Sequence, residues 1–284
     1  MTIRRVTVVG AGVLGCQIAF QSAFKGLAVT AYDVDATALD EARRRLDTLV
    51  RAYLAEVPGA GDDHAATTAR DRLTLTDDPA AAVAGADLII EAVPEDLELK
   101  REMFRQLAAL APAATIFATS ASTFPPSDLA ESTGRPGRFL ALHVLNRIWR
   151  HNTAEIMGTP ETDPAVFAEV VAFAKTIGMV PIELHREKAG YVLGSLLAPF
   201  LRAAVELAAG GYAQPAAVDE AWRIATGAPT GPFQMIDDIG LAAPHRALAS
   251  GDAADRELAG WLKRNYLDKG KLGVATGEGF YKYL

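Results

Sequence analysis

Among the five histidines of this 284-residue chain, His143 is the best placed for chemistry. It lies at the end of the apolar run Phe139-Leu140-Ala141-Leu142-His143-Val144. Glu155 follows at the next short strand, Ala154-Glu155-Ile156-Met157. An imidazole gives and takes a proton near neutrality, and a carboxylate beside it orients the ring and stabilises its charged form. Spacing alone leaves a second reading open, in which His143 is a structural histidine satisfied at a strand end. Ser122 occupies an equivalent place, in the turn Ser120-Ala121-Ser122-Thr123 that follows the run Thr115-Ile116-Phe117-Ala118-Thr119.

A second set of residues points to a nucleotide. The stretch Arg5-Val6-Thr7-Val8-Val9-Gly10-Ala11-Gly12-Val13-Leu14-Gly15 runs from a β-branched strand into Gly-x-Gly-x-x-Gly, and a helical pattern follows. Gly10 permits the tight turn, Gly12 lets backbone approach a pyrophosphate, and Gly15 lets helix and strand pack closely. The helix start, with Val13 and Leu14, offers free N–H groups and a partial positive charge to the anion. A second strand, Ala28-Val29-Thr30-Ala31-Tyr32, ends in Asp33. That places an acid about 20 residues on, where a carboxylate bonds the ribose 2′-hydroxyl and repels a 2′-phosphate. No arginine follows Asp33 at once; the next are Arg43, Arg44 and Arg45. The pattern therefore favours NAD(H) over NADP(H). A bare βα turn without a ligand is the alternative.

The intervening segments must position these residues. A helix is expected over residues 36–54, broken by Pro58-Gly59-Ala60-Gly61, then a short helix over 64–72 and a strand at 73–75. Asp87-Leu88-Ile89-Ile90-Glu91-Ala92-Val93 reads as the buried centre of a parallel sheet. Helices over 97–110 and 164–175 and a closing strand at 179–184 complete an alternating pattern. The expectation is a Rossmann-type, doubly wound α/β domain over residues 1–185, with ligands outside the carboxyl ends of its strands. Residues 186–284 show helical pattern at 189–210, 215–224, 237–248 and 255–267, and are expected to form an all-α domain.

Composition narrows the class. Half the residues are hydrophobic, 22% are charged, and the net charge of −7 argues against nucleic acid as the main partner. The single cysteine, Cys16, excludes an internal disulfide and reads as a small core residue. No signal peptide and no membrane-spanning apolar run are expected, so the default location is cytoplasmic. No metal is expected, because the histidines and nearby acids lack ligand spacing.

From Val6 to Tyr283 the chain resembles the L-3-hydroxyacyl-CoA dehydrogenase family, within it the bacterial 3-hydroxybutyryl-CoA dehydrogenase-like and diketoreductase-type carbonyl reductases. The resemblance is carried by the glycine turn, Glu91-Ala92-Val93-Pro94-Glu95 with Lys100, Ile116-Phe117-Ala118 with Ser122, and Leu142-His143-Val144-Leu145-Asn146. It continues in Asn152-Thr153-Ala154-Glu155, Gly190-Tyr191-Val192, Thr230-Gly231-Pro232-Phe233 and Thr276-Gly277-Glu278-Gly279-Phe280-Tyr281. It implies that His143 is the acid/base with Glu155 as partner, and that Ser122 bonds the reacting oxygen near the nicotinamide. It also implies that Glu95, Lys100 and Asn146 contact NAD(H), and that the helical domain forms a homodimer. The implied reaction interconverts 3-hydroxyacyl and 3-ketoacyl compounds, as CoA thioesters or as free β-keto or β,δ-diketo acids or esters.

The chain departs from the family pattern at four places. The family's asparagine four residues after Gly190 is Gly194 here, which removes a donor near the substrate oxygen or makes room for a bulkier substrate. Arg147 replaces the proline after Asn146, and Ala275 replaces a lysine. The basic residues that hold CoA phosphates have no clear match in residues 51–63. In Arg147-Ile148-Trp149-Arg150-His151, Arg147 or Arg150 is a candidate for a substrate carboxylate; the alternative is a solvated loop over Trp149. Other readings of the chain are a hydroxy-acid sugar dehydrogenase of the same superfamily, and a catalytically weakened NADH-binding protein marked by Gly194.

Overall fold

A computed structural model describes residues 2–283. Eight strands form one sheet: β1 (Arg5–Val9), β2 (Ala28–Tyr32), β3 (Leu73–Thr76), β4 (Leu88–Glu91), β5 (Ile116–Thr119), β6 (Phe139–Val144), β7 (Thr153–Gly158) and β8 (Val180–Leu184). Their spatial order is β3-β2-β1-β4-β5-β6-β7-β8. Every neighbouring pair is parallel except β6 and β7. Helices α1 (Val13–Phe24), α2 (Ala36–Glu56), α3 (Ala65–Asp71), α4 (Pro79–Val83), α5 (Leu97–Leu110), α6 (Ser127–Ala130) and α7 (Pro164–Thr176) connect them. This is the doubly wound α/β architecture that the alternating pattern predicts.

The central strands β4 and β5 are apolar up to their last residues, Glu91 and Thr119, because both faces are covered. β4 and β5 are buried at every residue, as expected where helices lie on each side of a parallel sheet. Phe20, Leu46, Tyr53 and Val170 belong to one apolar cluster, and Phe104, Phe117 and Phe139 to another. α2 buries Leu39, Ala42, Leu46, Leu49 and Tyr53, a helical stripe of period three to four. Asp35, Asp96 and Asp163 cap α2, α5 and α7, each accepting a backbone N–H of the first turn. Cys16 lies among the core residues; burial pushes its thiol up to about 12, so it packs as a small apolar side chain.

Contacts divide the chain into a unit of residues 1–192 and a second unit of residues 193–284. The second unit is helical: α8 (Tyr191–Ala209, its first two residues counted with the first unit), α9 (Pro215–Thr226), α10 (Pro232–Ile239), α11 (Ala242–Ala249) and α12 (Ala253–Asn265). Its core gathers Leu201, Ala204 and Val205 of α8 with Phe233, Ile236, Leu241, Leu248 and Leu262.

Two expectations are corrected. The helical pattern over 237–248 is two helices: α10 starts earlier, at Pro232, and Gly240 (φ +89°) ends it before α11 begins. A positive φ of that size breaks a right-handed helix. The expectation that no segment is long and apolar enough to cross a membrane also fails, since α8 passes by length and composition. Its two charges were enough to interrupt the apolar run in sequence, but Arg202 reaches both Glu206 (2.7 Å) and Asp255 (2.5 Å). One face of α8 packs in the core of its unit, as befits a globular helix.

Candidate active site

The antiparallel pairing of β6 with β7 sets His143 directly opposite Glu155. Opposed residues on such a ladder project from the same face with Cβ atoms about 5 Å apart, and here the side chains meet. His143 Nδ1 lies 2.9 Å from Glu155 Oε2, with side chains 15% and 6% exposed. A carboxylate can only accept, so Nδ1 carries the proton and Nε2 is the nitrogen left for a reacting group. The other carboxylate oxygen of Glu155 accepts the Val192 backbone N–H at 2.9 Å.

The neighbouring residue, Tyr191, stacks on the imidazole with ring centroids 4.6 Å apart and planes at 16°. Its hydroxyl donates to the Ala121 carbonyl at 2.8 Å. Burial, with the charges of Glu155, Glu95 and Glu91 behind it, pushes the phenol up and keeps it a donor. Tyr191 has φ +51°, a left-handed conformation that costs a non-glycine residue about 1–3 kcal/mol.

A second charged cluster sits at the ends of β4 and β5. Glu91 Oε1 accepts from Lys100 Nζ (2.6 Å) and the Val93 N–H (2.8 Å), while Oε2 accepts from Thr119 Oγ1 (2.6 Å). Glu91 and Lys100 are both buried. Burial pushes the Glu91 carboxyl up, opposed by Lys100 and by the Thr119 and Val93 donors. Lys100 also lies 3.3 Å from Glu95 Oε2. Glu95 Oε1 accepts the backbone N–H groups of Ser122 (2.9 Å) and Thr123 (2.8 Å) and the Thr123 hydroxyl (2.7 Å). Burial raises the Glu95 carboxyl, but the Thr123 bonds and Lys100 outweigh it and hold it below the ordinary glutamate range. Glu95 therefore clamps the turn that carries Ser122.

The glycine turn has the shape a dinucleotide needs. Gly10 has φ +92°, and a Cβ there would lie 2.8 Å from the Ala92 carbonyl oxygen. A Cβ on Gly15 would lie 1.8 Å from the Gly10 oxygen, so helix and turn touch backbone to backbone. Gly12 faces open space and caps α1 without any side-chain hydrogen bond, leaving the N–H groups around Val13 and Leu14 available to an anion. Asp33 is held beside the turn by the N–H groups of Ala11 and Val34, each at 2.8 Å. This open cradle and the adjacent carboxylate fit NAD(H).

Comparison with known proteins fits the same picture. The 3-hydroxyacyl-CoA dehydrogenase NAD binding domain matches residues 5–188, and the C-terminal domain of the same enzymes matches residues 190–283. The chain belongs to the 3-hydroxyacyl-CoA dehydrogenase family. It is an NAD-dependent oxidoreductase of hydroxy and keto compounds. The mitochondrial hydroxyacyl-coenzyme A dehydrogenase of Mus musculus is 32% identical over 99% of this chain and 91% of its own length. A probable 3-hydroxybutyryl-CoA dehydrogenase of Bacillus subtilis (strain 168) is 30% identical over 100% of this chain and 98% of its own. A solved structure of a diketoreductase, described as performing dual catalysis of dicarbonyl compounds, is 56% identical with a TM-score of 0.96, covering 100% of both chains.

Within this dehydrogenase, Asn146 and Arg147 lie early in the β6–β7 connection. Gln17 of α1 holds them: its Oε1 accepts the Arg147 N–H at 2.6 Å, and its Nε2 lies 3.5 Å from Asn146 Oδ1. Arg147 has φ +60° and lines a cavity of about 580 Å³ with Val13, Gln17, Arg44, Arg45 and Trp149. Arg150 is bound elsewhere, with Nε 2.6 Å from Glu56 Oε2, which Trp149 Nε1 also contacts at 2.6 Å. Gly194, the fourth residue of α8, has no atom within 4 Å of where a Cβ would stand.

Gln17, Glu91, Thr119 and Tyr191 have parts in the site that no local pattern of residues assigns. Glu91 and Tyr191 lie inside motifs that carried the resemblance, which was the available signal. Gln17 had none, because a glutamine on a helix reads as surface until a distant loop is seen on it.

Proposed function

We propose that this dehydrogenase interconverts a β-keto and a β-hydroxy compound, with His143 as acid/base, Glu155 as its partner and Ser122 as donor to the reacting oxygen. The observation that carries the reading is the 2.9 Å contact between His143 Nδ1 and Glu155, which leaves Nε2 for the substrate oxygen. NADH, when bound, supplies the hydride for reduction. His143 delivers a proton from Nε2 to the carbonyl oxygen and removes it from the hydroxyl in the reverse direction. Glu155 holds the tautomer and balances the imidazolium. General acid–base help of this kind contributes about 10²–10⁴-fold.

We assign the cofactor to Gly10, Gly12, Val13, Leu14, Gly15 and Asp33, with Glu95, Ser122 and Asn146 at the nicotinamide end; Lys100, buried and held by Glu91, the Val93 carbonyl and Glu95, acts behind them by fixing Glu95. Asp33→Arg is expected to weaken NADH and improve NADPH, as read by fluorescence titration. For the substrate, free β-keto or β,δ-diketo acids or esters are favoured over CoA thioesters, since the 56%-identical relative acts on dicarbonyl compounds. Arg147, lining the cavity with Arg44 while Arg45 is paired with Glu41 (2.6 Å), is the better candidate for an anionic substrate group, because Arg150 is held by Glu56. Gly194 is assigned to substrate space. The protein is further proposed to be a cytoplasmic homodimer joined through α8, whose Leu193 (37%), Leu196 (67%) and Leu207 (42%) are exposed. Sedimentation of Leu196→Glu tests this.

The deciding experiment is NADH oxidation with acetoacetyl-CoA, a free β-keto ester and a β,δ-diketo ester, with His143→Ala and Gly194→Asn in parallel. Turnover of the free esters, lost in His143→Ala, supports the reading. Turnover of the thioester alone moves the substrate to CoA compounds. Activity appearing only in Gly194→Asn points to a chain weakened in catalysis.

A further inference from the structure

Tyr191 keeps a left-handed backbone (φ +51°) directly after Gly190, which already turns the chain with φ +79°. A second glycine would make this turn without strain, so the ring is what the strained position provides. That ring is fixed at both ends. Its backbone N–H donates to the Lys188 carbonyl at 3.0 Å, and its hydroxyl donates to the Ala121 carbonyl at 2.8 Å. The residue is 1% exposed. Between those anchors it lies face to face with His143, centroids 4.6 Å apart and planes at 16°.

The two contacts on the imidazole constrain different motions. Glu155 meets Nδ1 at 2.9 Å and fixes one point on the ring. A single such bond leaves the ring able to tilt about the line through its attachment and Nδ1. A flat, immobile surface on one face removes that tilt. The direction of Nε2 is then set by Glu155 and Tyr191 together. Ala121 immediately precedes Ser122, so the same tyrosine ties the plane of the imidazole to the turn that carries the serine hydroxyl.

We propose that Tyr191 is a positioning residue for the acid–base step, a plate that holds the His143 ring in the plane from which Nε2 reaches the substrate oxygen. This rests on His143 being the acid/base. A misplacement of about 1 Å can cost on the order of 10²-fold in rate. Tyr191→Leu, which removes the flat face, should therefore lower kcat by roughly 30–100-fold, with KM and the NADH dissociation constant changed by less than about twofold. Tyr191→Phe keeps the face and should retain kcat within about fivefold, the lost hydroxyl anchor accounting for the difference.

The test is steady-state NADH oxidation with a β,δ-diketo ester by Tyr191→Phe, Tyr191→Leu, His143→Ala and the Tyr191→Leu/His143→Ala double variant. Loss in Leu, rescue in Phe and no further loss in the double variant support the proposal, because a residue acting through His143 has nothing to position once His143 is gone. Equal losses in Phe and Leu, a kcat unchanged in Leu, or an additive loss in the double variant overturn it. If His143→Ala keeps full turnover, the acid–base reading fails and the proposal falls with it. If His143→Ala is inactive and Tyr191→Leu is not impaired, only the proposal fails. Should the Leu variant not fold, or no ester be turned over, the imidazole proton spectrum decides. A His143 Cε1 proton displaced upfield in wild type and Tyr191→Phe supports the stacked plate, and an ordinary shift in both overturns it.

Discussion

Glu155 in the first unit and Asp219 and Asp237 in the second are all buried carboxylates, yet their partners differ. Asp237 accepts the backbone N–H groups of Phe280 and Tyr281 and the Tyr283 hydroxyl, at 2.8–2.9 Å. Asp219 accepts the N–H groups of Phe233 and Gln234, which start α10, and the Tyr281 hydroxyl at 2.8 Å. Both aspartates are 1% exposed, and their hydrogen-bond partners are backbone amides and phenols that stay protonated. They pin the C-terminal segment to α9 and α10. Glu155 instead ends on an imidazole that is 15% exposed and can change charge. A closed set of non-titrating donors makes scaffold, whereas a set that ends on an accessible, titratable ring makes machinery.

The largest difference between the two kinds of carboxylate is expected in activity. Glu155→Gln keeps an acceptor for the Val192 N–H and removes the charge behind His143. Its kcat should fall by about 10²-fold or more while the melting temperature stays near wild type. A large loss of stability with unchanged kcat would make Glu155 a scaffold residue like the aspartates. Asp237→Ala should do the reverse. It leaves three part-buried donors without their acceptor and should cost on the order of 2 kcal/mol in urea unfolding. NADH titration should be little affected, since the glycine turn and Asp33 belong to the first unit.

Within the first unit, Glu95 should give a smaller, pH-dependent effect. The folded value of Glu95 lies below that of an ordinary glutamate. Its bonds to the Ser122 turn therefore contribute fully above the ordinary range and fade as pH falls through the lowered folded value. Wild type should exceed Glu95→Gln in stability at neutral pH, and the two should converge in acid below the glutamate range. A difference that grows in acid would reverse this assignment. The smallest expected effect is that of Gly194→Ala, which meets no neighbour and should stabilise α8 by up to about 1 kcal/mol. A destabilised variant would mean that the position is packed.

The glycine turn, the apolar centre of the sheet and the partnership of His143 with Glu155 were legible because each depends on local pattern or on family motifs. Some motifs were legible without their reasons. Gly231 and Gly279 belong to strings that carried the resemblance, and the structure supplies the cause. A Cβ on Gly231 would lie 2.3 Å from Asp219 Cγ, and one on Gly279 would lie 2.0 Å from Asp237 Oδ1. Arg147 and Arg150 were indistinguishable in sequence and separate in the fold, because Glu56 at the end of α2 reaches only the second. The split of residues 237–248 into two helices is not legible in the local pattern, because Gly240 fits a helical repeat in sequence while its left-handed φ ends the helix in the fold.

Local sequence alone sets the nucleotide cradle. A strand, three glycines at fixed spacing, a helix start and an acid at the next strand end are all local, and backbone sterics leave them little choice of shape. It also determined which residues could carry a proton. How those residues are aimed depends on long-range pairing and packing. His143 meets Glu155 because β6 and β7 pair antiparallel in one register, and a shift of one residue would turn the two side chains to opposite faces. Tyr191 covers the imidazole because a chain segment far along in sequence folds back with a strained backbone. Pairing register and long-range stacking are set by burial across the whole sheet, which no local stretch of residues encodes.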